Sequence, residues 1–306
     1  MNSQAQIAIP SYTNLKQEKT AWVFLLATAN DPEDRHLLDL IYCLEKLLIF
    51  GVNTNDIFIF ADIEQSLNKS INNYLTLTNN NFKINGSLDN FMNLSSTHYQ
   101  NFNNMLLFVI GHGNELGLDC FIPIKPYPLV NKIKSFNNVK NAVLYLGQCY
   151  AGIFNYLKVD SDGKNVNLSI IGATELHSSL SMPILPNIKW KANLFYIYLF
   201  HWFTNLVDID GDNKFSILDS YKYTECLVNS ELKKFSENVF KEYIDFNSEK
   251  HKKQIELIGT NSKSKKLQLQ ADMAALDSKM KCNLSLFTVN QESWLLNARH
   301  VLSIGF

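Results

Sequence analysis

Two residue types that together perform nucleophilic catalysis follow successive apolar segments of the chain. His112 comes directly after the segment MLLFVIG at 105–111, and Cys149 comes shortly after the segment NAVLYLG at 141–147. A cysteine thiolate is a strong nucleophile, and a nearby histidine can carry the protons that acyl transfer requires. Gly113 allows the close backbone approach that an oxyanion-binding site needs. The pattern favours a cysteine–histidine pair, and the alternative is a packed thiol and an unrelated loop histidine.

The elements around these residues predict a sheet that brings them to one edge. An apolar strand at 21–29, an amphipathic helix that ends before Gly51 and a second strand at 56–62 form a βαβ unit. We therefore predict an α/β fold, with a mostly parallel central sheet of about six strands and helices on both faces. Functional residues of such sheets gather at the carboxyl ends of the strands. Further buried strands are predicted at 105–111, 141–147 and 168–174.

Composition excludes several classes of function. The chain has 306 residues, and its formal net charge of -1 gives no field that would attract nucleic acid. No apolar run reaches the roughly 18 residues that a membrane span needs, and the N-terminus lacks the pattern of a signal peptide. The 5 cysteines are scattered, which favours reduced thiols. We therefore expect a cytoplasmic protein, with export by a signal-independent route as the alternative.

Several motifs in this order resemble those of the caspase-like (clan CD) cysteine peptidases. MLLFVIGHG and AVLYLGQCYAG are similar to the two blocks of that family in which an apolar segment leads to His-Gly and to Cys. The legumain branch is the most similar, because its first strand leads into an Arg-His dipeptide, here Arg35-His36. GATELHSS, which ends in Ser178-Ser179, resembles the small-residue stretch and serine pair of that branch. The resemblance covers roughly residues 20–225 and implies a caspase-like sandwich fold.

The resemblance implies a cysteine endopeptidase that acts on a protein or peptide substrate. Cys149 matches the nucleophile, and His112 matches the general acid/base that protonates the leaving amine. The backbone N–H groups of Gly113 and Cys149 match the oxyanion donors. The residues that the resemblance assigns to substrate binding are Arg35, His36, Glu175, Ser178 and Ser179.

Three residues depart from the pattern of the legumain branch. Gly147 stands where an acidic residue precedes the nucleophile, Tyr150 follows the nucleophile, and Glu33 replaces an asparagine that supports the catalytic histidine. These departures support one other function, a catalytically inactive, calcium-dependent protein-binding module on a protease fold. A second alternative, independent of them, is a transamidase or peptide ligase, in which an amine replaces water at the acyl-enzyme.

Arg35 determines the expected preference for the substrate side chain that enters the pocket, the P1 residue. If no acid compensates the charge of Arg35, the pocket favours an acidic or carbonyl-bearing P1 side chain. The alternative is a solvated residue at the start of a helix, paired with Asp34 or Asp39.

The segment DIDGDNKFSILD at 208–219 has the spacing of an EF-hand loop and resembles its dockerin variant. Three aspartates at alternate positions repel one another without a cation. We therefore expect bound Ca²⁺, with Mg²⁺ as the second choice and a solvated acidic turn as the alternative. The expected ligands are Asp208, Asp210, Asp212, the carbonyl of Lys214, Ser216 and Asp219.

The predicted organisation has three parts. Residues 1–19 form an N-terminal extension, and residues 20–260 form the peptidase-like domain, which includes the acidic loop. Residues 261–306 form a C-terminal tail with a helix and an apolar end. Around the acidic loop we expect helices at roughly 190–207 and 218–230.

Overall fold

The computed structural model describes residues 11–28, 33–62, 82, 84–159, 166–182, 190–287 and 291–306. Its strands are β1 (Thr13–Asn14), β2 (Thr20–Ala27), β3 (Ile57–Asp62), β4 (Ile84–Gly86), β5 (Asn104–Gly111), β6 (Gly113–Asn114), β7 (Gly117–Leu118), β8 (Asn141–Leu146), β9 (Asn167–Gly172), β10 (Ser181–Met182), β11 (Ala192–Asn193), β12 (Trp294–Leu296) and β13 (Ile304–Gly305). Its α-helices are α1 (Asp34–Phe50), α2 (Leu88–Met92), α3 (Pro126–Lys134), α4 (Leu194–Thr204), α5 (Ile217–Gly259), α6 (Lys263–Phe287) and α7 (Ala298–Val301).

The central sheet contains seven strands within the described residues, in the order β12-β9-β8-β5-β2-β3-β4. All neighbours pair in parallel except β12, which pairs antiparallel with β9 at one edge. The predicted βαβ unit is present as β2, α1 and β3. The predicted α/β class with a mostly parallel sheet is therefore confirmed. The sheet is one strand wider than the estimate of about six.

Both faces of the sheet are covered by helices. Residues of β2 alternate between two apolar cores, as the period of a strand requires. Trp22 and Phe24 pack with residues of α1 and α4, whereas Val23 and Leu25 pack with residues of α2 and α3. A strand that is buried on both faces must be apolar at every position, which explains the continuous run of the sequence.

Two helices differ from their predicted lengths. The helix predicted at 190–207 is α4, which begins only after Asn193, because the Asn193 side chain accepts a hydrogen bond from the Tyr196 N–H as an N-cap. The helix predicted at roughly 218–230 is α5, which extends to Gly259. Between 230 and 258 the sequence contains neither glycine nor proline, so nothing in it ends the helix earlier.

The described chain divides into two compact units. One comprises the described residues up to Leu227 together with Glu292–Phe306, and the other comprises Val228–Gln291. This division differs from the predicted boundary after residue 260, because β12 belongs to the sheet. The second unit consists of most of α5 and α6, joined by ion pairs such as Lys253–Asp272, at 2.9 Å. Among the helices described, none combines the length and apolar character needed to cross a bilayer.

Candidate active site

Two neighbouring strands of the sheet bring His112 and Cys149 to the same edge. β5 and β8 pair in parallel up to Val109 and Leu146, so their carboxyl ends lie side by side. A Cβ atom added at Gly113 would lie 2.3 Å from the carbonyl oxygen of Cys149. The two loops are therefore in direct backbone contact, and only a glycine permits this approach.

The Cys149 thiol is partly exposed and interacts with a third loop. Its Sγ accepts a hydrogen bond from the Ser179 N–H at 3.3 Å and lies 3.5 Å from the Ser179 Oγ. A backbone donor directed at sulfur stabilises its negative charge. Two other cysteines, Cys43 and Cys120, are buried rather than partly exposed. Burial raises the pKa of both of these thiols, that of Cys120 to about 12. Cys149 is thus the cysteine at the carboxyl edge whose surroundings suit a nucleophile.

The backbone directly after Cys149 is held in an unusual conformation. Tyr150 has a φ of 55°, which is in the left-handed region that non-glycine residues seldom adopt. Its N–H donates to the carbonyl of His177 at 2.9 Å, and the N–H of Gly152 donates to the carbonyl of Glu175 at 3.3 Å. A Cβ at Gly152 would lie 2.6 Å from the carbonyl carbon of Glu175. The segment 175–179 therefore lies directly against the loop that carries Cys149.

The residues of segment 175–179 that were predicted to bind substrate differ in exposure and in their contacts with the Cys149 loop. Ser179 contacts the Cys149 sulfur, as described above, and Ser178 is exposed. Glu175 is partly exposed, and its backbone carbonyl accepts from the Gly152 N–H in the loop that carries Cys149. The His177 Nδ1 lies 2.8 Å from the Thr174 Oγ1 and helps to order the turn.

Glu33 connects Arg35 to His112. It immediately precedes α1, and its Oε1 lies 3.5 Å from the His112 Nε2. Arg35 donates to both carboxylate oxygens of Glu33, at 2.6 Å from Nε and 2.8 Å from Nη2, and from Nη1 to the Ser181 Oγ at 2.7 Å. The Arg35 hydrogen bonds hold the pKa of the Glu33 carboxyl below its usual range. Arg35 thus has a compensating acid, and that acid is neither Asp34 nor Asp39.

His36 lies behind His112. It is 3% exposed, and its ring meets the His112 ring edge to face with centroids 4.5 Å apart. Neither ring nitrogen has a hydrogen-bond partner among the residues that the structure describes. Burial, together with the charges of Arg35 and His112, lowers the pKa of His36 to about 3. His36 is therefore a buried neutral imidazole, whereas the resemblance implied a residue that lines the substrate pocket.

Sequence reasoning missed a polar connection that holds the loop of Cys149. The Asn193 Nδ2 donates to the carbonyl of Gly147 at 2.7 Å, and the Asn193 N–H lies 3.3 Å from the Asp39 carboxylate. Asp39 also accepts from the Trp190 Nε1 at 2.8 Å, and burial raises its pKa to about 7. One signal was available, because Asp39 falls on the apolar stripe of α1 where a carboxylate needs buried donors.

The glycine at 147 has a steric cause. A Cβ added there would lie 2.1 Å from the Cε2 of Tyr196. The Tyr196 hydroxyl donates to the backbone carbonyls of Val109 and Tyr145, so the ring is fixed between β5 and β8. The acidic side chain that the legumain branch has at this position therefore has no room here.

The acidic loop lies outside this edge and joins α4 to α5. Carboxylate oxygens of Asp208, Asp210 and Asp212 lie within 4.8 Å of one another. Asp208 accepts hydrogen bonds from the N–H groups of Gly211 and Asn213, and Asn213 has a φ of 63°. Three convergent carboxylates form an oxygen-only donor set that fits a hard cation such as Ca²⁺.

Two of the six expected calcium ligands cap α5. The N–H and Oγ of Ser216 donate to the Asp219 Oδ2, and the Asp219 N–H donates back to the Ser216 Oγ. The Asp219 Oδ1 accepts from the N–H of Ile209 at 2.9 Å. Asp219 is fully buried, and its oxygens are used for capping. Lys214, in contrast, is exposed, and its N–H donates to the Asp212 Oδ1.

Comparisons with known proteins find similarity to solved structures but none at the level of sequence. No protein-family model matches the sequence, and no curated protein matches it significantly. Among solved structures, the chain is similar to the crystal structure of caspase-1 from Spodoptera frugiperda. The two share 12% identity with a TM-score of 0.41, over 71% of this chain and 78% of that chain. At these values the likeness concerns the fold and carries no information about chemistry.

Proposed function

We propose that the protein is a cysteine endopeptidase with Cys149 as the nucleophile and His112 as the general acid. The observation that carries this proposal is the placement of the Cys149 sulfur. The sulfur lies at the carboxyl edge of the sheet and accepts a hydrogen bond from the Ser179 N–H. The backbone of Cys149 contacts the His112–Gly113 loop. Ligand sites of open α/β sheets lie at this edge.

The proposed reaction uses groups that these loops supply. The Cys149 thiolate forms a bond to the carbonyl carbon of the substrate, and the electron pair of the C=O bond moves to oxygen. The N–H groups of Gly113 and Cys149 are the proposed donors to this oxyanion. The C–N bond then breaks as His112 gives a proton to the leaving amine. Water hydrolyses the thioester, returns a proton to His112 and restores the thiolate.

Cleavage of a peptide library by purified variants tests this proposal. We expect Cys149→Ala to abolish cleavage and His112→Ala to reduce it by a factor on the order of 100 or more. Cys226→Ala is the matched control, because Cys226 is an exposed free thiol, and it should cleave like the wild type. Cleavage that persists in Cys149→Ala would contradict the mechanism. Analysis of products with an added amine separates hydrolysis from transamidation.

We further propose that the acidic loop binds Ca²⁺ through Asp208, Asp210 and Asp212. The cation would neutralise the repulsion among the three carboxylates and stabilise the connection between α4 and α5. The cap formed by Ser216 and Asp219 suggests a structural role for these two residues. The stabilisation of α5 by Ser216 and Asp219 would therefore not depend on the cation.

Thermal unfolding in the presence of Ca²⁺ or of a chelator distinguishes the proposed Ca²⁺ ligands from the residues that cap α5. We expect Asp210→Asn to lose the stabilisation by Ca²⁺ and to change little in chelator. Asp219→Asn should lower the melting temperature under both conditions, because it removes the cap of α5. No effect of Ca²⁺ on wild-type unfolding would contradict the calcium site.

A further inference from the structure

A second group of potential metal ligands lies next to the proposed nucleophile. Ligand atoms of Glu33, His36 and His112 lie within 4.8 Å of one another. Two imidazoles and one carboxylate form a donor set that suits divalent transition metals, whereas Ca²⁺ prefers sites built from oxygen. This group therefore differs in chemistry from the acidic loop.

His36 gives an independent reason to expect a ligand. Its side chain is almost completely buried, and both ring nitrogens lack hydrogen-bond partners within the described part of the chain. Buried polar groups in folded proteins are nearly always paired, so an unpaired imidazole needs an explanation. A metal ion bound to one of these nitrogens, together with ligand atoms of Glu33 and His112, would supply one of the two missing partners.

Glu33 can serve such an ion while it remains bound to Arg35. An ionised carboxylate has about four lone-pair directions, and Arg35 occupies two of them through its Nε and Nη2 donors. Arg35 also fixes the orientation of the carboxylate, as an outer partner of a metal ligand usually does. The Oε1 atom already lies 3.5 Å from the His112 Nε2.

We propose that Glu33, His36 and His112 form a binding site for a divalent transition metal ion, best suited to Zn²⁺, and that the bound metal inhibits the peptidase. The inhibition rests on the function proposed above, whereas the binding does not. A metal that bonds to an imidazole nitrogen of His112 takes the lone pair that would otherwise hold a proton. His112 can then no longer carry a proton at that nitrogen to the leaving amine.

Zinc binding by the full-length chain tests the site without any activity assay. The experiment measures the affinity for Zn²⁺ by competition with a chromophoric chelator, in a Cys226→Ser, Cys282→Ser background that removes the exposed thiols. We expect His36→Gln and Glu33→Gln to weaken binding by about tenfold or more. His177→Gln is the matched control, because His177 lies at the same edge outside the cluster, and it should bind like the background.

Cobalt provides a second measurement that does not depend on a fold-sensitive variant. Co²⁺ bound to two imidazoles and a carboxylate should show d–d bands without a thiolate charge-transfer band. A charge-transfer band that disappears in Cys149→Ser would overturn the proposed ligand set. So would equal zinc affinity in the His36→Gln variant and the background, provided that the circular-dichroism spectra of the metal-free proteins agree.

Peptidase assays separate failure of the site from failure of the function. We expect zinc to inhibit the wild type, and we expect chelator to restore activity. Loss of zinc binding in His36→Gln supports the metal site. If the wild type also shows no peptidase activity in the presence of chelator, the proposed peptidase function is overturned while the metal site stands. Activity that zinc does not affect at saturating occupancy of the site overturns the inhibitory role.

Discussion

Glu33 is the residue whose position most changes the expected specificity. In the sequence, Glu33 stands where the legumain branch has an asparagine. In the structure, Glu33 lies between Arg35 and His112. An arginine without a compensating acid attracts an acidic P1 side chain, but the bidentate pair with Glu33 already neutralises this charge. A full preference for acidic P1 residues is therefore not expected of the wild-type protein.

Replacing Glu33 should restore the charge of the pocket. We expect Glu33→Gln to raise cleavage after acidic P1 residues, relative to neutral polar ones, by a factor on the order of 10. The measurement is the ratio of kcat/KM for two peptides that differ only at P1. This ratio cancels any general loss of activity caused by the changed contact with His112. An unchanged ratio would show that Arg35 does not contact P1.

Gly147 offers a test of the packing beside the loop that carries Cys149. We expect Gly147→Ala to reduce the free energy of unfolding by roughly 1–3 kcal/mol, because the new methyl group overlaps the Tyr196 ring. Denaturant titration measures the change. Gly259→Ala is the control, since nothing beyond the chain neighbours and the backbone of its own helix lies within 4 Å of a Cβ at Gly259, and it should not reduce the free energy of unfolding. Equal effects of the two substitutions would refute the steric explanation.

At the scale of elements, the strands were predictable and the contacts between loops were not. β2, β5 and β8 follow from continuous apolar runs, and their parallel order places His112 and Cys149 at one edge. The contact between Ser179 and the Cys149 sulfur could not be predicted, because it depends on how the segment after β9 folds back over a neighbouring loop. The pairing of Arg35 with Glu33 was not predicted either, since the partners considered were the adjacent Asp34 and Asp39, which lies four residues along the helix.

The buried carboxyl of Asp39 links α1 to the start of α4 and should make stability depend on pH. Its folded-state pKa of about 7 lies above the unfolded value of 3.8, so the folded protein disfavours the charged form. The contribution of Asp39 to the free energy of unfolding is therefore greatest at acid pH. It declines as the pH rises from about 4 to about 7.

Replacing Asp39 should remove this part of the pH dependence. We expect the free energy of unfolding of the wild type to fall by up to roughly 2–4 kcal/mol more than that of Asp39→Asn between about pH 5 and about pH 8. Denaturant titration of both proteins at the two pH values gives the difference. Parallel profiles for wild type and Asp39→Asn would show that the carboxyl titrates at its ordinary pKa.

At the scale of the whole molecule, the C-terminal residues complete the sheet unit. The sequence suggested a separate tail from residue 261, but β12 pairs with β9 and β13 pairs with β1. Such pairings between distant parts of a chain carry no local sequence signal, so the boundary could not be derived from composition. The Trp294 Nε1 also donates to the carbonyl of Thr174 at 2.9 Å, directly before the segment that contacts Cys149.

Trp294 should therefore affect both stability and activity. We expect Trp294→Ala to lower the free energy of unfolding by about 3–5 kcal/mol, because Trp294 is 6% exposed and packs on Gly172. Trp294→Phe keeps most of the ring volume but loses the hydrogen bond to Thr174, so we expect a smaller loss of stability. We also expect a reduced kcat in the phenylalanine variant. Full stability of Trp294→Ala would exclude a supporting role for β12.

Covalent labelling tests the central claim most directly. The protein is treated with a cysteine-directed acyloxymethyl ketone probe, with and without calcium, and the labelled residue is identified by mass spectrometry. We predict a single modification at Cys149 that is absent from Cys149→Ala and slower in His112→Ala. Labelling of the exposed Cys226 and Cys282, with none at Cys149, would contradict the account and favour a protein-binding module on a protease fold.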